Sequence, residues 1–270
     1  MAIPSPSQAV SASELADWLL ARGRVAVTSA DVAELLQIPI EQVRVRLHQQ
    51  VRKQRFFSPA RGLWIPIPPE YRTWGAVPAT HLIDQLMHFL GRDYYVGWLS
   101  AAELHGAAHQ RPQVFQVAVN AALAQRDFGR VRLRFVTRSS VNELPRVQME
   151  TPTGHVWVST PELTALDLVD LPRLSGGLNN ATTVIMELAQ DPGMDPAKLH
   201  DAARAFPTAT VRRLGYLLAR FTGVDLGPLR SVLAIQPRVH DSPLDPRAPL
   251  RGERDQTWNV IVNATVEPDL

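Results

Sequence analysis

Apolar residues recur at steps of three and four through the first third of the chain. In SELADWLLARG (13–23), Leu15, Trp18 and Leu19 share one helical face, Ser11 or Ser13 precedes as cap, and Gly23 provides the stop. RVAV (24–27) reads as a short strand. TSADVAELL has Thr28 or Ser29 as N-cap, Asp31 in the first turn where the helix dipole favours an acid, and Val32, Leu35 and Leu36 as its buried stripe. The turn QIPI separates it from a further helix. That helix is expected to bury Ile40, Val43, Leu47 and Val51 while Gln42, Val45, Gln49, Arg52 and Lys53 point away, with Arg46 beside them. RFFSPARGLWIPI then reads as a β-hairpin with Pro and Gly in its turn.

Four prolines and a glycine in IPIPPEYRTWGAVP (65–78) can continue neither a helix nor a central strand, and place a boundary there. Beyond it helices and strands alternate. THLIDQLMHFLG is amphipathic, and WLSAAELHGAA carries a Ser100-to-Glu103 capping-box pattern. VFQVAVN, VRLRFVT and GHVWVS read as strands. STPELTALDLVDL is capped by Ser159 or Thr160 with Pro161 in its first turn, and NNATTVIMELAQ, DPAKLHDAARAF (Asp195 as cap) and TATVRRLGYLLARF complete the helices. Residues 236–256 carry proline and charge without periodicity and read as irregular chain, before TWNVIVNATV as a last strand. The pattern predicts a mixed α+β protein. Residues 1–12 form a disordered tail, 13–75 a winged helix-turn-helix, and 76–270 a larger mixed α/β domain.

Composition adds exclusions. Nothing approaches the roughly 18–20 apolar residues of a membrane span, and the start of the chain lacks the pattern of a signal peptide. The chain has no cysteine, which removes disulfides, thiolate chemistry and cysteine-based zinc sites and suits a reducing cytoplasm. No metal or other cofactor is expected.

Charge changes the picture more. Net charge is only +2, yet residues 40–68 gather Arg44, Arg46, Arg52, Lys53, Arg55 and Arg61 against the single acid Glu41. Such a segment expects an acidic partner, and in a helix–turn–helix–hairpin frame that partner is double-stranded DNA. Phosphates attract Arg44, Arg52 and Lys53, giving affinity and salt dependence without sequence reading. In the major groove Gln42 or Gln49 would pair with adenine, Arg46 with guanine, and Val45 would meet a thymine methyl. Arg61 in the wing would reach phosphate or minor groove. The plain alternative is a solvated basic helix on a structural module; Phe57 and Trp64 read as packing residues.

A second basic stretch, 111–139, carries six arginines against Asp127. Alternation puts Val131, Leu133 and Phe135 on one face and Arg130, Arg132, Arg134 and Arg138 on the other, either a solvated strand face or a patch for an acidic protein or nucleic acid. Arg212 and Arg213 are candidates to extend it. His105 and His109 are four apart, but Gly106 stands where a metalloprotease helix has its glutamate. Glu162, Asp167 and Asp170 suit capping and ion pairs better than acid–base work. The sequence shows no catalytic constellation, and an enzyme is not the expected reading.

Taken in order, TSADVAELLQIPIEQVRVRL…RGLWIPIP, YYVGWLSAAELHGA, FQVAVN…VRLRFVTR and VWVSTPELTALDLV resemble the AbiEi antitoxins of type IV toxin–antitoxin systems, including mycobacterial MenA-type members, over residues 13–235. The resemblance implies a winged helix that binds operator repeats in its own promoter and represses the operon. It also implies a C-terminal domain opposing a nucleotidyltransferase-like toxin, functionally and by direct contact or without it. A ligand-sensing winged-helix regulator is the alternative, and a nucleic-acid-processing enzyme the third. The pattern shows no dimer seam, so a monomer that pairs on DNA is expected.

Overall fold

The computed structural model describes residues 10–107, 112–190, 194–235 and 240–269. Three helices open the chain, α1 (Leu15–Leu20), α2 (Ser29–Leu36) and α3 (Val43–Arg52), with β1 (Val27–Thr28) before α2 and the hairpin β2 (Phe56–Ala60) and β3 (Leu63–Pro66) after α3. They are followed by α4 (Ile83–Leu90), β4 (Tyr94–Val96), α5 (Trp98–Leu104), β5 (Phe115–Val119), β6 (Arg126–Phe128), β7 (Val131–Thr137), β8 (Arg146–Thr151) and β9 (Gly154–Ser159). Helices α6 (Pro161–Asp170), α7 (Leu178–Leu188), α8 (Pro196–Ala203), α9 (Thr208–Phe221) and α10 (Gly227–Ile235) come next, and β10 (Ser242–Pro243), β11 (Glu253–Asp255) and β12 (Val260–Val262) close the order. The expected mixed class, with a helical N-terminal region ahead of a larger α/β portion, is what the chain adopts. One three-stranded sheet runs β1-β3-β2, another β10-β12-β11, and a six-stranded sheet β6-β7-β5-β4-β9-β8.

Two compact units can be separated. One runs to Tyr94 and takes in Val119–Thr137 and Gln148–Val156; the other comprises Tyr95–Ala118, Arg138–Val147 and the chain from Trp157. The first is built on Leu15, Leu19, Val32, Leu35, Val43, Leu47, Phe56 and Trp64, which form one buried cluster. Thr28 begins α2 with a reciprocal cap, its hydroxyl accepting from the Asp31 amide while its own amide donates to the Asp31 carboxylate at 2.7 Å. Strand β1 pairs antiparallel with β3, Val27 opposite Trp64. Strands β2 and β3 pair Phe57 with Ile65 and Ala60 with Leu63 across an irregular register, so Arg61 and Gly62 alone close the turn, and Pro59 lies within β2 rather than in the turn. Within the same unit Phe128 of β6 packs on Phe57, ring centroids 5.5 Å apart, and the Arg126 guanidinium donates to the Pro59 carbonyl.

In the second unit α6 is buried along nearly its whole length, with α5, α7, α8 and α9 against it. Thr160 caps it, its hydroxyl accepting from the Leu163 amide, and Pro161 takes the first helical position. Asp195 caps α8. The segment expected to be irregular, 236–256, contributes β10 and β11, because β12 offers a parallel edge to Ser242 and Pro243 and an antiparallel one to Glu253–Asp255. Trp258 fixes this small sheet to α9. Its ring lies where any side chain at Gly215 would stand, a Cβ there falling 2.1 Å from it.

Candidate nucleic-acid interface

Helix α2 ends at Gln37, whose left-handed backbone (φ 53°) turns the chain out of the helix. Pro39 leads into a single 3₁₀ turn, Ile40–Gln42, from which α3 departs. Val43, Leu47 and Gln50 face the core. Ile40 is 50 % exposed and Val51 38 %, so these two leave the expected buried stripe and Gln50 enters it. Ile40 precedes the α-helix and does not share its phase.

The opposite face carries what the outward pattern predicts. Gln42, Arg44, Val45, Arg46, Gln49, Arg52 and Lys53 are all exposed. Val45 is 77 % exposed, an apolar side chain held in water among cations. Arg52 ends α3 and Lys53 caps it, where a cation also suits the helix dipole. Arg61 stands exposed at the tip of the β2–β3 turn. Arg55, counted with this cluster in the sequence, is turned inward: its guanidinium pairs with Asp17 of α1 and only 20 % of its side chain is exposed. Glu41, Arg44, Ser58, Arg61 and Trp64 are among the residues lining a cavity of about 800 Å³ between the entrance of α3 and the hairpin.

The second basic stretch divides. Arg130 and Arg132 are exposed and Arg134 half-buried. Arg138, expected on the same outward face, is not there. It lies one residue past β7, and its guanidinium reaches Asp167 at 2.6 Å and Asp170 at 2.9 Å, over the rings of Phe206 and Trp98. Two carboxylates in a buried setting attract it more strongly than water does. Arg212 and Arg213 are likewise buried and donate to the carbonyls of His240 (2.6 Å) and Pro243 (2.8 Å), so they do not extend the patch. Arg111 and His109 lie outside the described residues.

The Arg138 cluster is the most polar part of the second unit's interior. The Tyr95 hydroxyl donates to Asp167 at 3.1 Å and Thr210 to Asp170 at 2.7 Å. Burial pushes the Asp167 carboxyl up to about 7, against the pull of Arg138 and the Tyr95 hydrogen bond. Burial would lower Arg138, but Asp167, Tyr95 and Asp170 hold it above its ordinary value. Burial, and then Asp167, raise Tyr95. Sequence reasoning did not assemble this cluster. Its one visible trace is a pair of aspartates three apart in the apolar run LTALDLVDL. Glu162 accepts from the Asp195 amide at 2.8 Å, tying α6 to the start of α8. His105 contacts the Ser159 carbonyl through Nε2 at 2.7 Å, and burial lowers its pKa. Ser100 does not cap α5, which begins at Trp98; its hydroxyl accepts instead from the Gln116 amide at 2.9 Å. Among the described residues no group of three His, Asp or Glu is placed to hold a metal, and no helix is long and apolar enough to cross a membrane.

Residues 95–220 match a family model described as the AbiEi antitoxin C-terminal domain. The whole chain is similar in fold to the crystal structure of the RV2827C protein from Mycobacterium tuberculosis. That similarity has a TM-score of 0.67 and 16 % identity, and covers 96 % of this chain and 95 % of that one. No curated protein matches the chain.

Proposed function

We propose that this chain is an antitoxin of the AbiEi kind and also a repressor, binding operator DNA in its own promoter through α3 and the β2–β3 wing of a winged helix-turn-helix. The observation that carries this reading is the sidedness of α3. Val43, Leu47 and Gln50 are buried, whereas Gln42, Val45, Arg46 and Gln49 form one exposed face, and Arg44, exposed on the flank of the helix, lines one cavity with Arg61 of the neighbouring turn. That face is long enough and cationic enough for a major groove, and it mixes groups for phosphate, base edge and methyl recognition. The match of residues 95–220 to the AbiEi antitoxin C-terminal domain supports the antitoxin role. The toxin it opposes is, by the family resemblance, a nucleotidyltransferase.

Titration of the full chain against a fluorescent duplex of its own promoter tests the DNA reading. The promoter should bind more tightly than random duplex. Arg46→Ala should narrow that gap by about 1–3 kcal/mol if it reads a base. A wild-type chain that binds neither duplex at low salt overturns the proposal.

A further inference from the structure

The β2–β3 turn is as short as a hairpin allows. Ala60 is paired with Leu63, so only Arg61 and Gly62 project beyond the ladder. Gly62 has φ 92°, a backbone that side-chain-bearing residues rarely adopt. This turn is also held down. The Ser29 amide, at the start of α2, donates to the Gly62 carbonyl at 2.8 Å. The Trp64 indole donates to the Ser29 hydroxyl at 2.9 Å. Arg61 is therefore presented from a tethered two-residue tip, with no extended loop to carry it away from the helices.

That tip shares the cavity of about 800 Å³ with Arg44, on the first turn of α3. Both arginines are exposed, and among the described residues neither they nor Glu41, on the same wall, takes part in an ion pair. Two guanidinium groups on one opening repel each other until an anion lies between them. Glu41 lines the same opening and repels an anion that approaches its carboxylate, so the arginines are the groups that would attract one.

We propose that this opening seats one phosphodiester of the duplex backbone, gripped by Arg44 from α3 and by Arg61 from the wing, so that the wing braces the backbone instead of entering the minor groove. The proposal rests on the DNA-binding reading above and adds to it which group the wing meets. A guanidinium presents a planar fork of donors, and two of them can satisfy both non-bridging oxygens of a single phosphate. The contact carries no sequence information; it fixes how far along the groove α3 is set, and hence which bases Arg46 and Gln49 face.

The test uses the full chain, its promoter duplex and a random duplex, by anisotropy between 50 and 200 mM salt. Arg44→Ala and Arg61→Ala should each weaken binding to both duplexes alike and reduce the salt slope by only part of about 0.9, the increment for one phosphate, because the other arginine still holds it. The double variant should lose about 0.9 in all, because one phosphate is shared. In duplexes carrying a single neutral methylphosphonate, one position should reproduce the double variant's loss and add nothing to that variant. Arg61→Lys, which keeps the charge, should retain most of the slope. Circular dichroism should be unchanged for all variants, since both side chains are exposed. A loss of about 0.9 in each single variant and about 1.8 in the double, or different methylphosphonate positions for the two arginines, would separate the contacts and overturn the clamp. So would an Arg61→Ala loss that disappears when distamycin fills the minor groove. A wild-type chain that binds no duplex defeats the DNA reading itself, an outcome distinct from these.

Discussion

The arginines of α3 and those of the second unit look alike in sequence and have opposite fates. Arg44 and Arg46 stand in solvent with Glu41 as the one acid of their segment and no ion pair to it, whereas Arg138, Arg212 and Arg213 are drawn inward onto carboxylates and carbonyls. What separates them is the supply of acceptors. Taking a guanidinium out of water costs several kcal/mol unless well-placed oxygens replace the lost hydration. The second unit supplies them with Asp167, Asp170 and the carbonyls of His240 and Pro243. In the first unit Arg55 and Arg72 share Asp17, and Arg24 lies 4.0 Å from Asp31, while Arg44, Arg46 and Arg61 enter no ion pair among the described residues. The cations left over are those expected to meet an external anion. A local charge count therefore identifies a binding surface only after internal partners have been subtracted.

The sharpest way to break this contrast is to remove the internal cation. Arg138→Ala leaves the buried Asp167 without its charge partner and should destabilise the protein by about 3–5 kcal/mol, the cost of orphaning one member of a buried pair. Arg46→Ala, at an exposed site, should stay within about 0.5 kcal/mol of wild type. Thermal or urea unfolding distinguishes them; equal stabilities for the two variants would erase the distinction drawn here.

The same cluster should make stability pH-dependent in a stated direction. The Asp167 carboxyl is pushed up to about 7 by burial, and in the unfolded chain it releases its proton near about 4. Between those values the folded state holds more protons than the unfolded one, so stability falls as pH rises from roughly 4 to 7 and levels off above. Asp167→Asn should abolish this component, measured as the difference in urea midpoint between the two proteins across that range. An identical pH profile for the variant would show that Asp167 contributes nothing there.

A smaller effect tests how far the burial of Arg212 and Arg213 depends on the C-terminal chain, since their carbonyl partners lie at 240 and 243. Gly215→Ala sets a methyl against the Trp258 ring and should cost about 1–3 kcal/mol as overpacking. If the small sheet lifts away, both arginines gain solvent and Trp258 fluorescence shifts to the red. Unchanged stability and emission would mean that the sheet accommodates the methyl without release.

Much of the architecture was legible because local chemistry decides it. Thr28 with Asp31, Thr160 with Pro161, and Asp195 with Pro196 each start a helix where the sequence placed one. Departures arose where a distant group decides. Ser100 matches a capping pattern, but α5 starts from Gly97 and Trp98, and the hydroxyl is claimed by Gln116 from β5. Ile40 was assigned the phase of α3 although a 3₁₀ turn intervenes, and Gln50 replaced Val51 on the inner face. Alternation placed Arg132 correctly because β7 is a strand there; it could not place Arg138, because the strand ends at Thr137 and acids on α6 decide its direction. The outward face of α3 was readable because no internal partner competes for it.

The weakest effect on stability, and the most informative about division of labour, is expected at the exposed part of the second basic stretch. Arg132 and Arg134 remain as outward candidates on β7, whereas Arg138 must be excluded from such a test because its loss would destabilise the fold instead of discharging the surface. Arg132→Ala with Arg134→Ala should alter stability by no more than about 0.5 kcal/mol per site, with the proviso that the half-buried Arg134 stem also covers apolar surface. If Arg132 and Arg134 of β7 serve toxin control, the double variant should keep promoter affinity in the anisotropy assay and lose protection of cells expressing the cognate toxin. Strand β7 belongs to the same compact unit as α3 and the wing, so the opposite result has a ready physical meaning. Weakened binding to promoter and random duplex alike, with protection intact, would assign these arginines to DNA phosphates and remove them from toxin control.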